Sequence, residues 1–274
     1  MPFITVRDRR VHYLDQGAGV PVVLVHSSGL SSRQWTRLSG RVAPARRVIA
    51  PDLLGSGASD PVPADAPFHF GEDVAALEGV LDGIEGRYHL VGHSYGGLVA
   101  LAAARQRPEP VISLALFEPV AFGVLYSEGD RDGIASLEDY DPDGTFFDDA
   151  AGGREPWLER FIDWWQGEGA WRGLPEPARA AFLRVGRKVF QEVRSLTSDR
   201  TPLEAYRGLT MPVLLMSGAR SPLAARRVCD LLARALPAGR LVTLEDAGHM
   251  GPLTHGQTVA ELILEHLRVA ESGD

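Results

Sequence analysis

Apolar residues follow two alternating patterns along this chain. Uninterrupted apolar runs are typical of strands that are buried on both faces of a sheet. These runs are residues 21–25, 48–50, 111–117 and 212–216, and residues 88–91 and 240–244 are predicted as further strands. Other stretches carry apolar residues at every third or fourth position, which predicts helices. These stretches are residues 71–84, 98–104, 223–236 and 258–269. Alternating apolar residues over 5–14 predict a hairpin with its turn at Asp8 and Arg9.

Strands that alternate with helices predict an α/β protein with a doubly wound, mostly parallel sheet. The alternation stops after residue 120 and resumes near residue 207. The segment between them has no strongly apolar run but is rich in aromatic residues, including Trp165 and Trp171. We therefore predict a core of residues 1–120 and 207–274 and a helical cap of residues 121–206. Most cap rings are expected to pack together, and the others to cover a pocket.

One short motif lies where a strand is followed directly by a helix. Residues 92–96 read Gly-His-Ser-Tyr-Gly, a Gly-x-Ser-x-Gly sequence with Ser94 at its centre. Such a strand–turn–helix holds the serine in a strained conformation, and the small glycines let strand and helix approach closely. N–H groups at the start of the helix then lie beside the serine oxygen. The motif predicts that Ser94 is a nucleophile.

Two further polar residues follow apolar runs in the same way as Ser94. His26 comes after the run at 21–25, and Glu118 comes after the run at 111–117. In parallel sheets, functional groups collect beyond the carboxyl ends of the strands. We therefore expect His26, Ser94 and Glu118 to lie at one edge of the sheet.

Composition narrows the class of protein. The chain has 274 residues and a net charge of −8, which argues against a nucleic-acid surface. The sequence shows neither an apolar stretch long enough to span a membrane nor a basic, hydrophobic leader. The single cysteine, Cys229, fits a reducing cytoplasm, and its position in a predicted helix indicates a packing role. No metal-ligand motif is present, so neither a metal nor a cofactor is expected.

With these elements placed, the chain resembles the α/β-hydrolase superfamily over nearly its whole length. Four motifs carry the resemblance in order: His26-Ser27-Ser28-Gly29, residues 51–59 (Pro-Asp-Leu-Leu-Gly-Ser-Gly-Ala-Ser), the Ser94 motif, and Gly248-His249-Met250. The resemblance implies that Ser94 is the nucleophile and His249 the general base. It also implies an oxyanion hole formed by the backbone N–H groups of Ser28 and Tyr95. Ser27 stands where the family usually has glycine.

The third member of the triad departs from the commonest family pattern. Many relatives carry an aspartate in the loop after the strand matched by residues 212–216, but this chain has Ser221 there. Some relatives instead place the acid one strand after the nucleophile, and that position is Glu118. We therefore predict the triad Ser94–Glu118–His249. Asp246, three residues before His249, is a weaker candidate, and Glu118 as a pocket carboxylate without a triad role stays open.

A set of further residues is expected to shape the pocket: His26, His93, Trp165, Trp171 and Met250. A serine nucleophile with an imidazole base predicts cofactor-free hydrolysis of carboxylic esters or lactones through an acyl-enzyme. The apolar cap favours a small or medium hydrophobic substrate. The alternatives are hydrolase or lyase activity on carbon–carbon bonds, perhydrolysis, and a non-catalytic ligand-binding role. Either a monomer or a homodimer is compatible with the sequence.

Overall fold

The computed structural model describes residues 2–63 and 67–272, so the other residues of the predicted core (1, 64–66 and 273–274) lie outside it. It contains one eight-stranded sheet. The strands β1 to β8 are Phe3–Val6, Arg9–Gln16, Pro21–Val25, Arg47–Pro51, Tyr88–His93, Val111–Phe117, Val213–Gly218 and Gly239–Leu244. The helices α1 to α11 are Thr36–Val42, Gly71–Asp82, Tyr95–Gln106, Gly123–Ser127, Arg131–Glu138, Glu155–Gln166, Ala170–Gly173, Glu176–Ser198, Leu223–Ala235, Gly251–Thr254 and Gly256–Ser272. Two 3₁₀ turns cover Ser32–Trp35 and Leu203–Tyr206.

The strand order is β1-β2-β4-β3-β5-β6-β7-β8. All pairs from β4 to β8 are parallel, and β2 joins β4 in the antiparallel sense. The predicted α/β class with a mostly parallel, doubly wound sheet is confirmed. The predicted turn of the N-terminal hairpin is wrong by one residue, because Val6 pairs with Arg9. Arg7 and Asp8 therefore form the turn, and both have positive φ angles.

The two faces of the sheet are covered by different helices. Val23 and Val25 of β3 point to the face that packs against α2, α3 and α9, whereas Val22 and Leu24 point to the face covered by α1 and α11. Every residue of β3, β5, β6 and β7 is buried. Burial on both faces explains the apolar runs that β3, β6 and β7 form in the sequence. Cys229 of α9 is also fully buried, as its predicted packing role requires.

Residues 121–206, between β6 and β7, form no strand and carry the helices α4 to α8. We call them the inserted segment. It has an aromatic core of its own, in which the Trp157 ring stacks on Phe161 and meets Phe190 edge-on. Among the helices of residues 2–63 and 67–272, none is long and apolar enough to cross a membrane.

Candidate active site

Ser94 lies on the sharp turn between β5 and α3. Its backbone has φ 55° and ψ −121°, a strained conformation for a residue with a side chain. The turn is tight because α3 lies in direct backbone contact with β5 at Gly92 and with the end of β3 at Gly96. A Cβ atom on Gly96 would lie 2.2 Å from the carbonyl oxygen of His26, and one on Gly92 would lie 2.7 Å from that of Gly96. The Gly-x-Ser-x-Gly spacing is therefore a steric requirement of this turn.

The side chains of Ser94, His249 and Glu118 form a continuous hydrogen-bonded series. His249 Nε2 lies 2.9 Å from Ser94 Oγ, and its Nδ1 lies 2.6 Å from Glu118 Oε2. All three residues are buried, with Glu118 fully inaccessible. If Nδ1–H donates to the carboxylate, Nε2 is free to accept the serine proton. The structure thus brings together the three residues predicted to form the triad.

Glu118 is held in place by the end of the neighbouring strand β7. Its Oε1 atom accepts hydrogen bonds from the Ser217 hydroxyl at 3.0 Å and from the Gly218 N–H at 2.8 Å. Its φ angle is 44°, so Ser94 and Glu118 are two of the four described non-glycine residues with positive φ. Such strain persists where the surroundings enforce it.

The other two candidate positions for the acid do not reach His249. The Ser221 hydroxyl is buried and has no hydrogen-bond partner among the described residues. Asp246 is exposed, and its carboxylate pairs with Arg220 at 2.9 Å. Neither side chain can orient the imidazole in this arrangement.

His26 and His93 brace the loops around the site rather than line its cavity. His26 Nε2 accepts the N–H of Leu53 at 2.9 Å, while its Nδ1 donates to the carbonyl of Ser27. His93 Nε2 donates to the backbone carbonyl of His249 at 2.9 Å, and Gln34 donates to His93 Nδ1. Burial lowers the pKa of His26 and lowers that of His93 well below its usual value, so both rings stay neutral.

Two backbone N–H groups are available where an oxyanion would form. Tyr95 is the first residue of α3, so its N–H has no acceptor inside the helix. The N–H of Ser28 donates to no residue in the described ranges. Ser27, the departure from the usual glycine, donates its own N–H to Gln34 at 2.9 Å, which fixes the loop that carries Ser28.

Comparison with known proteins identifies the family of the chain. Residues 22–262 match the Alpha/beta hydrolase family. The chain belongs to this family. It is 29% identical to a 2-hydroxymuconate semialdehyde hydrolase of Pseudomonas putida over 96% of this chain and 92% of that protein. It is also 29% identical to a pimeloyl-[acyl-carrier protein] methyl ester esterase of Neisseria meningitidis serogroup B, covering 88% of this chain and 90% of the other.

Some matches cover much less of the chain. The alignment with 2-hydroxymuconate semialdehyde hydrolase of Pseudomonas sp. (strain CF600) reaches 40% identity but spans only 44% of either chain. Among solved structures, a thermophilic esterase from Thermogutta terrifontis superposes with a TM-score of 0.72 at 25% identity, covering 98% of both chains. The relatives of this α/β-hydrolase thus include ester hydrolases and hydrolases of other substrates.

In this α/β-hydrolase, a narrow cavity opens directly above Ser94. Its volume is about 30 Å³, room for only one or two water molecules. Ser28 and Ser94 form its polar floor. Aromatic side chains form most of the wall: Phe122, Tyr140, Phe146, Phe161, Trp164 and Trp165.

Trp165 lies between this cavity and a neighbouring surface cleft. Its ring stacks on the imidazole of His249, with centroids 3.6 Å apart and planes inclined by 20°. On the other side of this stack, Trp165, His249 and Met250 line a surface cleft of about 250 Å³. The prediction that Trp171 shapes the pocket is wrong, because its ring packs into the aromatic core of the inserted segment, where its N–H points to Glu155.

Several residues near the site were not singled out by the sequence. Gln34 links the Ser28 loop to His93, and a buried group of Asp73, Lys188 and Glu192 lies behind Tyr95. The Lys188–Glu192 spacing of four residues was the available signal, but it is also typical of an exposed helix face. Among the described residues, no group of His, Cys, Asp or Glu side chains is arranged to hold a metal ion.

Proposed function

We propose that this α/β-hydrolase is a serine esterase that cleaves carboxylic esters or lactones with small to medium hydrophobic groups. The observation that carries the proposal is the hydrogen-bonded series Ser94–His249–Glu118 at the floor of an aromatic cavity. The series supplies a nucleophile, a base and an orienting carboxylate. The cavity supplies a dry apolar surface for the substrate.

In the proposed reaction, Ser94 Oγ attacks the ester carbonyl while His249 Nε2 takes its proton. Glu118 stabilises the resulting imidazolium, and the N–H groups of Ser28 and Tyr95 bind the oxyanion. When the tetrahedral intermediate collapses, His249 returns the proton to the departing alkoxide, and an acyl-Ser94 ester remains. Water then attacks this ester with the same base, which releases the carboxylic acid and restores the Ser94 hydroxyl.

The inserted segment acts as a cap in this proposal, with residues 1–120 and 207–274 as the catalytic core. Support comes from the cavity, whose wall residues Tyr140, Phe161 and Trp165 belong to the inserted segment while Ser94 belongs to the core. Pockets for small molecules usually measure about 300–1,000 Å³. A cavity of about 30 Å³ must therefore widen when substrate enters, and aromatic side chains of the cap must move.

Charge distinguishes ester cleavage from the carbon–carbon cleavage that the sequence left open. The hydrolases of 2-hydroxymuconate semialdehyde are named for a substrate that bears a carboxylate. Among the described residues that line the present cavity, none is an arginine or lysine. An unpaired carboxylate in such a site would be strongly destabilised. A neutral ester fits the cavity better.

Hydrolysis of p-nitrophenyl butyrate, followed with intact-protein mass spectrometry, tests the proposal. We expect turnover and a butyryl adduct on Ser94 that disappears as substrate is exhausted. Ser94→Ala should abolish both, whereas Ser221→Ala, the same change at a buried serine without a partner, should retain both. An alkyl fluorophosphonate that fails to label Ser94 would favour a non-catalytic protein. Labelling without turnover of any ester or lactone would favour carbon–carbon cleavage.

A further inference from the structure

A buried group of charges lies behind the candidate oxyanion hole. Lys188 Nζ of α8 lies 2.8 Å from Asp73 Oδ2 of α2 and 2.6 Å from Glu192 Oε1. The side chains are exposed by only 7%, 0% and 1% for Lys188, Asp73 and Glu192. Buried ion pairs are weak contributors to stability, because desolvation offsets much of the attraction. Their presence at this place therefore calls for a role other than stability.

The charges bind one of the two residues whose N–H groups face the site and lie near the other. The Tyr95 hydroxyl donates to Asp73 Oδ2 at 2.6 Å, and its ring is fully buried. Burial raises the pKa of the Glu192 carboxyl, and the nearby Ser28 hydroxyl lowers it by a smaller amount, although Glu192 Oε2 has no hydrogen-bond partner among the described residues. Lys188 connects the two sides, because it binds Asp73 and Glu192 together.

Lys188 is charged in this setting. Burial alone would lower the pKa of its ammonium group, but the adjacent carboxylates of Asp73 and Glu192 raise it above the usual value. The ammonium also lies 4.2 Å from the centre of the Phe68 ring, a distance at which the ring face attracts a cation. Without Lys188, the two carboxylates would face each other in a medium of low dielectric and repel.

We propose that Lys188 is a positioning residue for the oxyanion hole, which it aligns by holding Asp73 against Tyr95 and Glu192 beside Ser28. This inference rests on the proposed function. An oxyanion hole depends on donors placed within a few tenths of an ångström of the developing charge. Since Lys188 belongs to the inserted segment and both donors belong to the core, docking of that segment and alignment of the donors are coupled.

Lys188→Met keeps an unbranched side chain that is one atom shorter, and it removes the charge. We expect kcat for p-nitrophenyl butyrate to fall by about 10²-fold, as when one oxyanion donor is lost, while KM changes little. Inhibition by an alkyl trifluoromethyl ketone, which forms a tetrahedral adduct on Ser94, should weaken by the same factor as kcat/KM. The pH profile of kcat should keep its shape, because His249 and Glu118 are untouched.

Tyr95→Phe removes only the hydroxyl that reaches Asp73, and it still tests the inference if Lys188→Met fails to fold. It should lower kcat in the same direction, and the double variant should lose less than the product of the two single losses. Tyr206→Phe is the matched control, since Tyr206 is also buried but lies outside this group of charges. It should leave kcat unchanged.

An NMR measurement that needs no catalytic turnover tests this inference separately from the proposed function. Labelling with ¹⁵N-tyrosine gives six amide signals, one for each tyrosine of the chain. Lys188→Met should shift the Tyr95 signal, which is assigned by its loss in Tyr95→Phe, and Tyr206→Phe should not shift it. An unmoved Tyr95 signal, or a change in KM with kcat intact, would overturn the inference. An inactive wild type whose Tyr95 signal still shifts would refute the esterase and keep the positioning role.

Discussion

Replacement of Glu118 by glutamine tests how the imidazole is oriented. In the native site, Glu118 Oε1 accepts hydrogen bonds from Ser217 and Gly218, and Oε2 lies 2.6 Å from His249 Nδ1. The amide oxygen of glutamine must stay with the two donors, so its NH₂ group turns towards His249. Nδ1 then has to accept a hydrogen bond, which places the ring proton on Nε2, the atom that must receive the Ser94 proton.

The size of the effect follows from this change of tautomer. An asparagine at the corresponding position of a serine protease lowers kcat by about 10⁴-fold, which corresponds to about 5 kcal/mol of transition-state stabilisation. We expect a loss of the same order for Glu118→Gln with p-nitrophenyl butyrate. The thermal midpoint should change little, because glutamine has the same shape and keeps the bonds to Ser217 and Gly218.

Two control variants complete the measurement. Ser221→Ala and Asp246→Asn alter the other candidate positions for the acid and should each change kcat by less than about threefold, as expected for residues that do not reach the reacting groups. A loss below tenfold for a folded Glu118→Gln protein would refute the assigned role. Collapse of activity in either control would move the acid to that residue.

Three further predictions concern the cavity, the response to pH and the tight turn. Trp165→Ala should join the cavity to the surface cleft of about 250 Å³. The kcat/KM for p-nitrophenyl octanoate, divided by that for p-nitrophenyl butyrate, should then rise by about tenfold. An unchanged ratio would contradict the role of Trp165 as a barrier. Burial lowers the pKa of His266 from 6.5 to about 4, so unfolding takes up a proton between these pH values. This group should therefore lower the free energy of unfolding by about 3 kcal/mol as the pH drops from 6.5 to 4. Urea titrations should show a smaller fall for His266→Leu, but not for a control variant at the exposed His69, His69→Leu. Gly96→Ala places Cβ 2.2 Å from a backbone oxygen and should lower the free energy of unfolding, measured in urea, by at least about 3 kcal/mol. Gly40→Ala should not lower it, because no atom lies within 4 Å of a Cβ at that position. Equal stabilities of the two variants would refute the steric argument.

The parts of this protein that follow from local pattern could be predicted from the sequence. Burial of β3, β6 and β7 on both faces requires continuous apolar runs, and those runs are visible without a structure. Placement of Glu118 near Ser94 follows from the parallel sheet, because neighbouring strands end at the same edge. The distances that join Ser94 and Glu118 to His249 needed the structure.

Contacts between distant elements could not be predicted in the same way. Trp165 and Trp171 are both aromatic residues of the inserted segment, yet one stacks on His249 and the other packs in the aromatic core. Which side of a helix faces the cavity depends on how α6 and α8 pack, and a helical repeat does not contain that information. Lys188 and Glu192 have the spacing of a surface ion pair, and only the approach of Asp73 from α2 makes them a buried group.

Because the acid lies at the end of β6, the loop after β7 does not have to supply a triad residue. Nucleophile and acid are continuations of adjacent central strands, held by the bonds from Ser94 N–H to the Phe117 carbonyl and from Glu118 N–H to the Met216 carbonyl. The end of β7 supplies the Ser217 hydroxyl and the Gly218 N–H to Glu118. Beyond Gly218, the loop contributes no side chain to the triad, and the N–H groups of Ala219 and Arg220 bind the carbonyls of Leu244 and Ala247. Insertions or grafted recognition residues near Ser221 could alter substrate choice while the catalytic geometry stays with the sheet.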